Sequence, residues 1–534
     1  MQKKLSIIIP FEDQKESALV ESLTSINNQG GLVRFEELDV HLVNDSGKSI
    51  AAEKFAIFGR LDLHYHEPKK KLGFGMACQY GVTRSEGEYF LFLEPGDLIN
   101  TVYGLHYFFQ VQEAHALYIS SHVEIVSNEM GVKFIPRQAD VNNLVLYGKI
   151  FRRSFVKSLN LKFREEVRGF EDFYYTQVVL NVTKDVVLLN DRYIYCHRMK
   201  SSQQVQQVRQ SKRRKKISII IPIYGQTEAD LAIPLGSVNC QIGVDFSQFD
   251  IHIVNDGGKV IDPSKFALFE HLDIHYHELK KNMGPGLARQ YGIDHSDSDY
   301  IMFIDSDDML DGFHPLLMLF DALSKQGNHD LFVTSFIETA DNLGFNPVKA
   351  DASLSYLYNK LYRRSYIEAL KLKFPEELSY NYEDTYYSNV VATFSQDIIL
   401  LGDCWLYCRR THQDSLSNSM ASNKSTNLRV IYKRLIMEKF KELEKPGLDT
   451  ELESTIVENY LWAKLYPAYD QAVFEQEIAK TLREFSDFWI TDKVSLQEQL
   501  SRQTKIYSGF KNIKDTGDFD EFIDRIEKLA ATME

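Results

Sequence analysis

The chain contains itself twice, and this duplication limits the fold more than any other feature. From Lys215, KKISIIIPIYGQ repeats KKLSIIIPFEDQ from Lys3, and the match continues for about two hundred residues. VNDSGK at Val43–Lys48 returns as VNDGGK at Val254–Lys259, and LDLHYHE at Leu61–Glu67 as LDIHYHE at Leu272–Glu278. YGKIFRRSF at Tyr147–Phe155 returns as YNKLYRRSY at Tyr358–Tyr366, and FEDFYY at Phe170–Tyr175 as YEDTYY at Tyr382–Tyr387. Copies this long are duplicated domains rather than solenoid units. A chain of 534 residues also exceeds what a single core supports. Domain limits are expected at 1–211, 212–422 and 423–534.

Each copy opens with a short apolar run ended by proline, Leu5–Ile9 or Ile217–Ile221. Further runs stand at Val40–Val43 and Tyr89–Leu93, and again at Ile251–Val254 and Tyr300–Ile304. Such continuous, turn-bounded runs read as buried parallel strands. Helical stretches between them, such as Leu287–Ile293, predict an α/β fold with a mainly parallel sheet in each copy. Ligands of these sheets sit beyond the carboxyl ends of the strands. From about Asn423 the pattern changes. Leu428, Ile431, Leu435, Phe440 and Leu443 approximate a helical stripe that Pro446-Gly447 stops, and the remainder reads as an all-helical domain.

A net charge of −14 argues against general nucleic-acid binding. No apolar run approaches the ~20 residues of a membrane span, and the amino terminus lacks the pattern of a signal peptide. Five cysteines make no disulfide framework, and Cys404 with Cys408 lacks the second pair of a zinc site. A reducing, cytoplasmic setting is expected. The basic run Lys212–Lys216 at the repeat junction reads either as a solvated linker end or as a contact for an anionic membrane surface or acidic acceptor.

Asp305-Ser306-Asp307-Asp308 follows a strand. Two carboxylates one residue apart can direct oxygens toward one hard cation, Mg²⁺ or Mn²⁺, although acidic turns are common without one. The second copy then presents a series in fixed order: SIIIPIYGQ (Ser218–Gln226), VNDGG (Val254–Gly258), NMGPGLARQYGI (Asn282–Ile293), FIDSDD (Phe303–Asp308), NYED (Asn381–Asp384) and RRTHQDSLS (Arg409–Ser417). This series resembles the inverting family 2 glycosyltransferases of GT-A fold. The resemblance is close over Lys215–Ser417, extends to Lys3–Arg198 as a scaffold, and stops before the C-terminal helices.

The resemblance implies a nucleotide-sugar donor, a UDP-sugar above others, and a glycan or glycoprotein acceptor. Asp256 matches the aspartate that reads the base, though an Asx turn before Gly257-Gly258 accounts for it equally well. Asp305 and Asp307 match the DxD pair, with His412 as a late metal or diphosphate ligand. Asp384, within Glu383-Asp384, matches the general base; helix capping is the alternative. Pro222, Tyr224, Asn282, Arg289, Ser306, Arg410 and Ser415 are placed at the donor, with Asn282 in turn chemistry first.

The first copy lacks much of this set. Asp305 maps to Glu94, Asp307 to Gly96, Asp308 to Asp97 and Arg289 to Cys78, whereas Asp256 keeps Asp45 and Glu383-Asp384 keeps Glu171-Asp172. Glu94 and Asp97 leave open a cation site of another geometry. The expectation is one catalytic copy, one degenerate copy with an acceptor or assembly role, and an accessory helical domain, with homo-oligomers and peripheral membrane contact left open. The alternatives are two active copies, or a nucleotide-sugar- or carbohydrate-binding protein without turnover.

Overall fold

The computed structural model describes the chain except residues 1, 112, 129–130, 200–213, 341–343, 353, 379, 412–422, 467–468, 490–491, 509–515 and 534. In the first repeat, strands β1 (Leu5–Phe11), β2 (Leu38–Asn44), β3 (Leu63–His66) and β4 (Tyr89–Phe92) come first. They are followed by β5 (Leu98–Ile99), β6 (Leu117–Asn128), β7 (Gly131–Arg137), β8 (Lys149–Arg152) and β9 (Val186–Arg198). The second repeat has the same order: β10 (Lys215–Ile223), β11 (Phe249–Asn255), β12 (Ile274–Glu278), β13 (Ser298–Phe303) and β14 (Met309–Leu310). It ends with β15 (Leu331–Ala340), β16 (Gly344–Val348), β17 (Lys360–Arg363) and β18 (Ile398–Thr411).

The sheets are topological copies, β3-β2-β1-β4-β8-β6-β9-β5 and β12-β11-β10-β13-β17-β15-β18-β14, with β7 and β16 each added to one neighbour. The first four strands of each run parallel. β1, β2 and β4, with β10, β11 and β13, are the apolar runs predicted to be buried, and β1 and β2 are buried along their whole lengths; β3 and β12 are not among those runs and are only partly buried. The next strand, β8 or β17, is antiparallel, so the sheets are mixed.

The repeats pack on each other through like elements. Helix Glu16–Asn27 lies against its counterpart Glu228–Asn239. The approach is close enough that a Cβ on Gly236 would stand 2.6 Å from Thr24 Cγ2. Asn28 Nδ2 donates to the Ile233 carbonyl at 3.0 Å. Leu98, Ile125 and Cys196 of the first repeat join Cys240, Ile242 and Phe313 of the second. The reciprocal cluster joins Val102 to Ile233, Met309 and Cys408. The arrangement is that of an isologous interface made within one chain.

Helices from Asn423 onward form their own core around Leu452, Ile456, Leu461, Ile478 and Ile523. The first of them, Asn423–Glu442, also sends Tyr432, Leu435 and Ile436 into the second repeat. All five cysteines are buried free thiols. Among the described residues no helix is long and apolar enough to cross a membrane. The described part of the basic run is matched by local acids: Arg214 meets Asp297 at 2.9 Å, Lys215 meets Asp273 at 2.8 Å and Lys216 meets Asp299 at 3.0 Å. Those three charges are matched at the start of β10 and leave no free basic patch among themselves; Lys212 and Arg213 lie outside the described residues.

Asp311 shows where the copies differ in stability. It is buried just after β14, its Oδ1 has no hydrogen-bond partner, and the first repeat has Asn100 at that position. Burial raises its pKa to about 7, with a weaker opposing pull from the Val102 backbone. The folded chain therefore keeps a proton that the unfolded chain releases near pH 4. Stability falls as pH rises between those values. Asp311→Asn removes this loss. It is expected to raise the unfolding free energy at about pH 8 by about 2 kcal/mol or more, with the gain shrinking toward pH 4. Denaturant titrations at both pH values check this; a variant less stable than the parent at pH 8 would refute it.

Candidate active site

Neighbouring strands β11, β10 and β13 end side by side, which brings Asp256, Tyr224 and Asp305 to one edge. Pro222 is within β10, and Tyr224 just beyond it is exposed. Asp256 is only 2% exposed. Its Oδ1 accepts from the Met283 N–H and its Oδ2 from the Gly284 N–H, both at 2.8 Å. Asn282 Oδ1 accepts from Gly284 N–H at 3.0 Å, and the Asn282 carbonyl from Tyr380 Oη at 3.3 Å. Gly257 is required here: its φ is +73°, and a Cβ would lie 2.4 Å from the Lys281 carbonyl carbon. Asp256 thus clamps the loop that opens helix Pro285–Asp294. Asp45 makes the same clamp on Leu72 and Gly73 in the first repeat, so this structural role stands whether or not a base is read.

Arg289 ties the acidic site together. Its Nη2 donates to Asp305 Oδ1 at 2.7 Å and its Nη1 to Glu383 Oε1 at 3.0 Å. Burial works against the guanidinium charge, but Asp305 and Glu383 outweigh it, and the net shift is upward. Both of these nitrogens are directed at carboxylates, so Arg289 stands as a bridge rather than an open donor contact. Glu383, opening helix Glu383–Phe394, is buried. Burial, and then Asp384, push its pKa up to about 7 against the pull of Arg289. Gly286 leaves room for it, since a Cβ there would lie 2.9 Å from Glu383 Cγ. Asp384 is half-buried, and its Oδ1 accepts from the Thr385 N–H at 2.6 Å. Of the acidic pair, Glu383 is the buried member held by Arg289 and Asp384 the one with solvent access.

The loop after β13 is strapped to the end of β18. The Asp305 N–H donates to Tyr407 Oη at 3.0 Å, and Tyr407 Oη donates to Asp308 Oδ2 at 2.8 Å. Asp308 Oδ1 accepts from the Arg410 N–H at 2.7 Å. Arg410 Nη1 reaches the Asp307 carbonyl at 3.3 Å, and Arg409 pairs with Glu338 at 3.0 Å. Ser306 is buried, whereas Asp305 is about one-third exposed (35%) and Asp307 is half-buried. Asp305 and Asp307 form an all-oxygen donor set beside solvent, which fits Mg²⁺ or Mn²⁺. His412 and Ser415 lie outside the described residues.

The first repeat keeps the strap but not the residues matching Arg289 and Asp307. Asp97 Oδ1 accepts from the Arg198 N–H at 2.8 Å, and its Oδ2 from Tyr195 Oη at 2.8 Å, with His197 Nδ1 also 2.8 Å away. The notion that Glu94 and Asp97 form a second cation site is corrected by this geometry, because both oxygens of Asp97 already hold β9. Cys78 is buried where Arg289 stands. What remains is an open cleft of about 420 Å³, lined among others by Phe11, Phe74, Phe170, Phe173, Glu94 and Asp172.

One structural feature beside the acidic pair is not legible in the sequence. Tyr382, immediately before Glu383, has φ +64°. Non-glycine residues held there cost of order 1–3 kcal/mol and persist only where surroundings enforce them. Tyr382 is 6% exposed and stacks on Tyr432 of the C-terminal helix, with ring centroids 5.7 Å apart and 15° between planes. Tyr432 Oη also accepts from Asn389 Nδ2 on the helix that carries Asp384. The matching Phe170 has φ −132° and is 69% exposed. The C-terminal helices thus brace the acidic helix of the second repeat.

The model for glycosyl transferase family 2 matches residues 218–410. Putative glycosyltransferase EpsH of Bacillus subtilis is 27% identical over 223 residues, covering 38% of this chain and 62% of that protein. An uncharacterized glycosyltransferase of Rickettsia bellii is 31% identical over 126 residues, covering 23% of this chain and 17% of that one. The chain thus spans less than two thirds of these relatives. Among solved structures, S. aureus TarS 1-349 in complex with UDP aligns at 20% identity and TM-score 0.35, over 59% of this chain and 83% of that one. Mannosyltransferase PcManGT from Pyrobaculum calidifontis, in complex with GDP-Man and Mn²⁺, aligns at 12% identity and TM-score 0.33, over 60% and 88%. The topology itself is that of two tandem α/β domains of the same strand order followed by helices.

Proposed function

We propose, on the premise that residues 218–410 form a glycosyl transferase family 2 domain, that this chain transfers a sugar from a nucleotide-sugar to a glycan or glycoprotein acceptor with inversion at the anomeric carbon. The observation that carries the reading is the bridge Asp305–Arg289–Glu383. It fixes Asp384 relative to the carboxylates after β13. In this mechanism the acceptor hydroxyl attacks the anomeric carbon, Asp384 takes its proton, and the nucleoside diphosphate leaves from the opposite face. Asp305 and Asp307 would hold Mn²⁺ or Mg²⁺, which would supply charge neutralisation for the departing diphosphate. Asp256 holds the loop beside the donor, with Tyr224, Asn282 and Arg410 around it.

The first repeat is assigned an acceptor or assembly role. Its cleft has aromatic walls and carboxylates, has lost the Asp307 and Arg289 equivalents, and so suits a neutral glycan better than a diphosphate. The five free thiols support a reducing, cytoplasmic setting.

The test is release of nucleoside diphosphate by the full chain from a panel of UDP-sugars and GDP-mannose with Mn²⁺. One donor is expected to turn over, with activity lost in EDTA and restored by Mn²⁺. Binding without turnover of any donor would instead establish the binding-protein alternative.

A further inference from the structure

A second group of ligating side chains lies away from this site and serves none of its chemistry. Strand register pairs His252 of β11 with His275 of β12, and Val254 with His277. Alternation places Asp250, His252, His275 and His277 on one face of the sheet. The His252 ring stacks on His275 at 4.9 Å and on His277 at 5.3 Å. Asp250 and His252 stand toward the start of β11. Asp250 is roughly 20 Å along the strand from Asp256, at ~3.3 Å per residue.

One ligand atom each from Asp250, His252 and His275 lies within 4.8 Å of the others. His252 is 3% and Asp250 6% exposed. Their Nε2 and Oδ1 face each other at 3.5 Å, and neither atom has a hydrogen-bond partner. Two buried polar atoms left so are unfavourable unless something joins them. The far side of His252 is already arranged. Its Nδ1 lies 3.0 Å from His277 Nε2. With Nδ1 donating in that contact, Nε2 presents a lone pair toward Asp250, the orientation that metal-ligating imidazoles take. His275 supplies a further ring nitrogen from the exposed edge strand, with Asp273 3.4 Å from its Nε2.

We propose that Asp250, His252 and His275 bind a divalent cation of the zinc class at the β11–β12 edge, separate from the Asp305/Asp307 pair. Two imidazoles and a carboxylate suit such a borderline ion, with water in the remaining position. The ion would fasten the edge strand β12 to its neighbour. The first repeat has Asp39, His41, His64 and His66 at matching positions, but there His41 Nε2 is hydrogen-bonded to Asp39 Oδ2 at 3.0 Å, where the matching pair of the second repeat stands 3.5 Å apart. The inference is therefore confined to the second repeat.

Zn²⁺ titration of the metal-stripped full chain tests this independently of sugar transfer. Asp307→Ala serves as the background, so that binding at the catalytic pair is disabled. This chain is expected to take up one equivalent of Zn²⁺ and to melt at a higher temperature when loaded. His275→Ala in the same background should lose both the equivalent and the shift. His275 is nearly half exposed, so the fold should tolerate the change, and His275→Gln replaces it if the alanine variant is unstable. No uptake by the background chain, or undiminished uptake after the His275 substitution, would overturn the proposal.

Discussion

Asp384→Asn is expected to lower kcat for sugar transfer by roughly 10²–10⁴-fold, the usual contribution of a general base. The amide keeps the size of the carboxylate and an oxygen for the Thr385 N–H, but it cannot take a proton from the acceptor. The Arg289 bridge ends on Glu383, not Asp384, so the donor side of the site should be undisturbed. Donor affinity, measured by titration without acceptor, should therefore stay near that of the parent. A variant within about twofold of the parent in kcat would remove Asp384 from the base role.

Asp307→Ala should have an effect of similar or greater size through a different cause. Charge stabilisation by a bound divalent ion contributes several kcal/mol, and each ~1.4 kcal/mol is tenfold in rate. A loss on the order of 10³-fold or more is expected. The fold should survive, because the strap to β18 uses the Asp307 carbonyl and the Asp308 side chain, and neither changes. Circular dichroism and the melting temperature check that condition. Parent-like turnover by the variant in excess EDTA would exclude Asp307 from any metal-dependent step.

The repeats and their strands were legible because both are carried by local pattern. Runs such as Ile217–Ile221 are β-branched, continuous and stopped by proline, and the structure has them as buried parallel strands. The acidic motif after β13 was legible for the same reason, since a strand end determines where its following residues lie. The bridge through Arg289 was not, because Arg289 and Glu383 are 94 residues apart and only the tertiary fold shows that they meet. The same applies to Asp97, whose sequence neighbours suggest a ligand while its contacts with Arg198, Tyr195 and His197 show a strap. Nothing in the string NYED announces that its tyrosine is left-handed. That conformation depends on Tyr432, fifty residues later in the chain.

The reciprocal packing of helices Glu16–Asn27 and Glu228–Asn239 has a consequence for stoichiometry. A dimer of separate chains obeys mass action and comes apart on dilution, whereas these halves share one backbone and meet at an effective concentration that no dilution lowers. Separate identical chains would also have to carry identical sites. Covalent fusion removes that constraint, so one half can lack the equivalents of Arg289 and Asp307 while still covering the apolar face of the other. Every molecule then has one proposed donor site held at a fixed orientation to one cleft of the first repeat, a one-to-one pairing that an association of free subunits would have to select from a mixture.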